Sequence, residues 1–231
     1  MSRYYKKEGK ELPSVTTITG QLDKPALMIW AANCAVDYII EGYNKDLSPD
    51  EVLNLAEVAR KNFRKVSQKA LNIGSQVHHA IENHILTGRE PHDPQDEVLS
   101  AFIAYLEWRE KYEVEPIKTE HTLYGPNWAG TCDLICTGMF RGKREKFLID
   151  HKTSKAVYPE MRYQIAAYKS ATDCVGCGIL RVDKITGIPE WKDTTKTYDD
   201  DLRVFSILTD LWWATHKIKR QQFIKAGGEI S

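Results

Sequence analysis

No apolar run in this chain approaches the ~20 residues that a bilayer crossing needs. The opening, Met1 to Pro13, is too polar to read as a signal peptide. A cytoplasmic protein with no membrane partner is therefore expected. Charge of one sign is also missing. The 32 basic and 32 acidic residues cancel, which excludes domain-wide basic attraction to nucleic acid and leaves any such contact to local patches. Cysteine is sparse: Cys34, Cys132, Cys136, Cys174 and Cys177 form an odd, irregularly spaced set, so a secreted disulfide framework is excluded and reduced thiols are expected. Internal repeats, low-complexity tracts and linkers are absent.

What is present is the balance of a globular protein. With 231 residues, 42% of them hydrophobic and 28% charged, the chain can bury a core without staples. A single domain is expected, running 1–231, with 1–112 mainly helical, 113–195 a sheet and a helix, and 196–231 a C-terminal helix. The expected class is α/β or α+β, a mixed sheet flanked by helices.

Residues 1 to 24 read as an irregular arm holding a short extended piece, Ser14 to Ile18, because that stretch is rich in β-branched residues. Asp23-Lys24-Pro25 reads as a helix start, ending near Gly42. Ser48-Pro49-Asp50-Glu51 is a second cap. The helix it opens is expected to break once and resume from Gly74 to about Leu86. A further helix is expected from Pro94 to Tyr112. The period then changes to strands at 114–122, 127–138 and 146–152, with Arg141 to Glu145 as the turn between the last two. A helix at 159–172, strands at 178–184 and 190–195, and one helix at 199–225 complete the pattern.

The chemistry-bearing residues gather around two of those strands. Alternate side chains share a face, so Asp150 and Lys152 point one way and His151 the other. The turn makes a hairpin of strands 127–138 and 146–152, which brings Asp133 alongside Asp150. Two hard carboxylates with an open side suit Mg²⁺ or Mn²⁺. Such an ion lowers the pKa of a bound water and neutralises charge on a phosphate, and Lys152 is placed to stabilise the transition state. Phe147-Leu148-Ile149 marks this strand as central, where an idle charge is costly. His78 and Glu82, one helical turn apart, are candidate ligands or supports. Gln164 and Tyr168 share the same spacing on the next helix, and Glu120 offers another carboxylate.

Taken in order, Gly130-x-x-Asp133, Asp150-x-Lys152 and Gln164-x-x-x-Tyr168 resemble the PD-(D/E)XK nuclease superfamily, in particular its RecB-like branch and phage exonucleases. Gly74-x-x-x-His78 and the Pro13-to-Ile18 opening look like that branch too, so the resemblance spans roughly residues 13 to 195. It implies a restriction-endonuclease-like core with a helical N-terminal region. It also implies that His78, Asp133, Asp150 and the backbone carbonyl of His151 hold the metal, with Lys152 as the catalytic lysine. Gln164 and Tyr168 would be auxiliary, and Glu120 and Glu82 acidic positions of variable role. The implied activity is metal-dependent DNA hydrolysis leaving 5′-phosphate ends, with an exonuclease in phage or mobile-element recombination or repair first. A structure-specific or restriction-like endonuclease, or a non-cutting DNA-binding subunit, is the alternative.

Some relatives carry an iron–sulfur cluster on four cysteines, one before the core and three after it. Here only Cys34 precedes it and only Cys174 and Cys177 follow, so the count falls short and no cluster is expected. DNA contacts are expected from Lys155, from Arg64 and Lys65 within a basic helical stretch, and from Ser14 and Thr16. Trp30, Trp128 and Tyr124 are considered for stacking on bases, with Trp30 more naturally a core residue. A phage single-strand annealing or recombination protein is a candidate partner, and homo-oligomerisation stays open.

Overall fold

A computed structural model describes residues 3–230. The described chain is mixed α/β, with a five-stranded mixed sheet flanked by helices. Its contacts divide into two compact units, residues 1–22 with 77–231, and residues 23–76.

The first unit opens with a two-stranded hairpin, β1 (Tyr4–Lys7) and β2 (Lys10–Pro13). Its turn is Glu8-Gly9, both at positive φ, the geometry that matches strand twist. The stretch expected to be extended from Ser14 to Ile18 is instead a short helix, α1 (Val15–Thr19). Ser14 caps it: its hydroxyl accepts from the Thr17 N–H at 3.0 Å. A local cap outweighs the β preference of Val15, Thr16, Thr17 and Ile18.

In the second unit, α2 (Pro25–Gly42) starts with Pro25 in its first turn, as expected, and Cys34 is its buried residue. Helix α3 (Pro49–Thr87) begins where Ser48 and Glu51 form reciprocal capping bonds. The break expected before Gly74 is not there. A single glycine inside a long helix costs only ~1 kcal/mol against alanine, which the rest of the helix absorbs.

From residue 77 the first unit resumes with the end of α3 and α4 (Asp96–Lys111), followed by β3 (Glu115–Tyr124), β4 (Ala129–Phe140) and β5 (Lys143–Lys152). The β4–β5 turn is only Arg141-Gly142, both with positive φ. Helix α5 (Pro159–Ser170) crosses to β6 (Gly176–Val182), which pairs parallel to β5, and β7 (Pro189–Asp193) closes the sheet antiparallel. The order is β3-β4-β5-β6-β7, so β5 is central, as its apolar run requires. The expected single C-terminal helix is two, α6 (Tyr198–Thr215) and α7 (Lys217–Lys225), interrupted at His216.

One side of the sheet packs Leu148, Ile165, Tyr168, Phe205 and Trp213 into a buried cluster. On the other, Trp108 of α4 lies among Phe140, Tyr112 and Trp191 with ring centroids 5.4–6.2 Å apart. Arg162 on α5 bonds twice to buried Asp201 on α6, at 2.8 and 3.1 Å, which fixes the slope of α5 across the sheet. No described helix is long and apolar enough to cross a membrane.

Candidate active site

The site lies where β4 and β5 part company. Their pairing ends at Leu134–Ile149, so Asp133 and Asp150 face each other one step beyond the last registered pair. Freed there, the Asp133 carboxylate turns to accept the backbone N–H of His151 at 2.6 Å. Its other oxygen stands 3.6 Å from Nδ1 of His78, on the last turns of α3. Glu120 joins them from β3. One ligand atom from each of His78, Glu120 and Asp133 lies within 4.8 Å of the others. Glu120 has a φ of 45°, a left-handed kink in the edge strand that is uncommon for a residue with a side chain.

Asp150 is buried. One carboxylate oxygen accepts from Nε2 of Gln164 at 3.2 Å, and the same amide reaches the Tyr168 hydroxyl at 3.3 Å. The other oxygen is paired with the Lys152 ammonium at 2.6 Å. The cation at that oxygen is Lys152 itself, and Asp150 stands outside the cluster of His78, Glu120 and Asp133. The donors of that cluster, two carboxylates and one imidazole, are of the kind Mg²⁺ or Mn²⁺ takes.

The electrostatics separate the two aspartates. Burial alone would raise the Asp133 pKa, but His78, Lys152 and His151 outweigh it and hold the carboxyl below its ordinary value. Burial drives Asp150 up to about 6, opposed by Lys152 and reinforced by Asp133. Burial works against the Lys152 ammonium, but Asp150 and Asp133 raise its pKa, so it stays charged. Partial desolvation and Asp133 raise the pKa of the Glu120 carboxyl, opposed first by His78, with smaller effects from Glu82, which raises it, and Arg3, which lowers it.

The remaining candidates divide. Gln164 and Tyr168 meet Asp150 directly. Glu82 pairs with His79 at 3.8 Å and stands outside the three-residue cluster. The His151 ring is buried between Tyr105, at 5.7 Å, and His78, at 6.1 Å, edge-on to both. Lys155 is exposed in the turn after β5, and Thr16 is exposed on α1. Ser14 is buried, its hydroxyl committed to the α1 cap. Arg64 and Lys65 are exposed on α3 in the other unit. Trp128 is buried edge-on against Phe205 at 5.6 Å, which removes it as a base-stacking surface. All five cysteines are buried and unbridged.

Sequence reasoning missed Arg3 and Tyr5. A bridge between Ser14 and Ala129 ties the N-terminal arm to β4, and the Tyr5 hydroxyl bonds Thr131 at 3.0 Å, two residues before Asp133. The Tyr4-Tyr5 doublet was the only local signal. Their nearness to the site is a long-range contact that no local pattern encodes.

No family model and no curated protein matches this chain. Among solved structures, one titled "Crystal structure of SSO0001" matches at 10% identity over 80% of this chain and 87% of that one, with a TM-score of 0.31. A likeness that slight carries no argument here.

Proposed function

We propose that this protein is a metal-dependent deoxyribonuclease of the PD-(D/E)XK type with a restriction-endonuclease-like core. The observation that carries the reading is one constellation. Buried Asp150 and half-buried Lys152 are paired at the end of the central strand, beside an Asp133 carboxylate that shares a ligand-sized cluster with His78 and Glu120. An idle surface pair would not occupy a central strand at such desolvation cost.

In this reading His78, Asp133, Asp150 and the His151 carbonyl would hold a Mg²⁺ or Mn²⁺ ion, with Glu120, which clusters with His78 and Asp133, as a further ligand. Bound there, the ion supplies a water of lowered pKa and neutralises phosphate charge. Lys152, kept cationic by the two aspartates, stabilises the charge that builds on the phosphoryl oxygens as water attacks and the 3′ oxygen leaves. Gln164 fixes the Asp150 rotamer and is itself held by Tyr168. The products are a 5′-phosphate and a 3′-hydroxyl.

An exonuclease working from a DNA end, in phage or mobile-element recombination or repair, is the preferred mode. The test uses end-labelled linear DNA beside covalently closed circles, with Mg²⁺ or Mn²⁺. Degraded linear DNA with intact circles supports an exonuclease. Cut circles give the endonuclease reading, and binding without cutting gives the non-cutting subunit.

A further inference from the structure

Alternation along β1 puts Arg3, Tyr5 and Lys7 on one side of the arm. Tyr4 faces the other way and is anchored there, with Trp212 at 6.2 Å and the Lys219 ammonium 4.7 Å from its ring. The Arg3 backbone is fixed as well: its N–H donates to the Thr17 hydroxyl at 3.0 Å and its carbonyl accepts the Ser14 N–H at 2.9 Å. The exposed side is therefore a preset row. Arg3 stacks 5.1 Å over Tyr5, and Lys7 sits 4.9 Å from the centre of Tyr124, the last residue of β3.

We propose that this row is a ledge for single-stranded DNA, on which a base stacks against Tyr124 while Lys7 and Arg3 take the backbone phosphates and half-buried Tyr5 holds Arg3 in place. It rests on the nuclease reading only for which end of the ledge meets the scissile bond. Tyr5 is bonded to Thr131, next to the carboxylates, and Arg3 is one of the charges acting on Glu120. From there to Lys7 the row extends roughly 13 Å at the ~3.3 Å rise of a strand. Aromatic rings interleaved with cations along an exposed edge match the chemistry of single strands, because every base offers a π face and every linkage a charge. A merely solvated strand needs no ring beside each cation. Tyr124 is 38% exposed, so its ring has a free face.

The experiment is fluorescence anisotropy of the full chain with a labelled oligothymidylate in EDTA, where no cutting occurs. Tyr124→Ala is expected to weaken binding about tenfold, and Tyr124→Phe to bind as wild type, since stacking needs the ring alone. Lys7→Ala is expected to make the salt dependence of binding shallower by about 0.7 in log–log slope. Wild-type affinity and slope in both alanine variants overturn the ledge, whatever the wild type does to DNA. A wild type that binds through these residues but never cuts with Mg²⁺ keeps the ledge and removes the nuclease reading. A wild type that binds no oligonucleotide removes the ledge outright.

Discussion

Gly130 and Tyr168 compete for the same space: a Cβ built on Gly130 would lie 2.4 Å from Cε1 of the Tyr168 ring. The glycine of Gly130-x-x-Asp133 is there so that α5 can lie close enough for Tyr168 to reach Gln164, and Gln164 to reach Asp150. Gly130→Ala should displace the ring and cost about 1–3 kcal/mol, the usual range for overpacking a filled site. Chemical denaturation measures the loss. An unchanged midpoint, together with unchanged cleavage, would show that the close approach has no role.

The Asp150 carboxyl, raised to about 6 by burial, makes both stability and cation binding depend on pH. Its folded pKa lies above the unfolded one, so in metal-free protein this group's stability contribution is full below about 4 and lost as pH rises through about 6. A cation requires the ionised form. Mg²⁺ should therefore raise the melting temperature clearly at pH 7.5 and little at pH 5, and cleavage should fall on acidification through about 6. Equal Mg²⁺ shifts at both pH values would remove Asp150 from the ligand set.

His151 and His78 should separate sharply. The His151 ring is buried, its Nε2 has no hydrogen-bond partner among the described residues, and burial depresses its pKa to about 4. Native protein thus binds fewer protons there than unfolded chain, and stability falls as pH drops from about 6.5 toward 4. His151→Phe removes an unsatisfied polar atom, so stability should hold within about 1 kcal/mol or rise, with cleavage within a few-fold of wild type. His78→Ala should lose activity by ~10²-fold or more through the metal. Comparing kcat and Mg²⁺ dependence for the two variants checks this, and a silent His78→Ala would contradict it.

Arg162→Ala should leave Asp201 buried without its double hydrogen bond and destabilise by about 2–3 kcal/mol, the range for hydrogen bonds to charged groups. Thermal unfolding reads the effect. Because α5 carries Gln164 and Tyr168, cleavage should weaken in parallel.

The parts legible in the sequence were those governed by local period. Strands β4 and β5 declared themselves by apolar runs around a tight charged turn, and hairpin geometry then placed Asp133 opposite Asp150. The Gln164 to Tyr168 spacing likewise put both side chains on one helical face, where they now meet. The illegible parts were set by competition or by tertiary contact. Strands β1 and β2 are short and lysine-rich, with no apolar alternation to reveal them. Helix α1 turns on one capping hydroxyl, and Arg3 reaches the site only through folding of a distant arm. Glu120 was visible as a carboxylate, but its approach to Asp133 depends on a left-handed kink that sequence does not announce.

The most direct measurement compares wild type with Asp150→Asn and Lys152→Ala on end-labelled DNA, with and without Mg²⁺, after circular dichroism has confirmed that each is folded. The account predicts Mg²⁺-dependent nucleotide release by wild type and a loss of at least ~10²-fold in each variant. Wild-type rates in either variant, or a folded wild type that hydrolyses no DNA with Mg²⁺ or Mn²⁺, would contradict it.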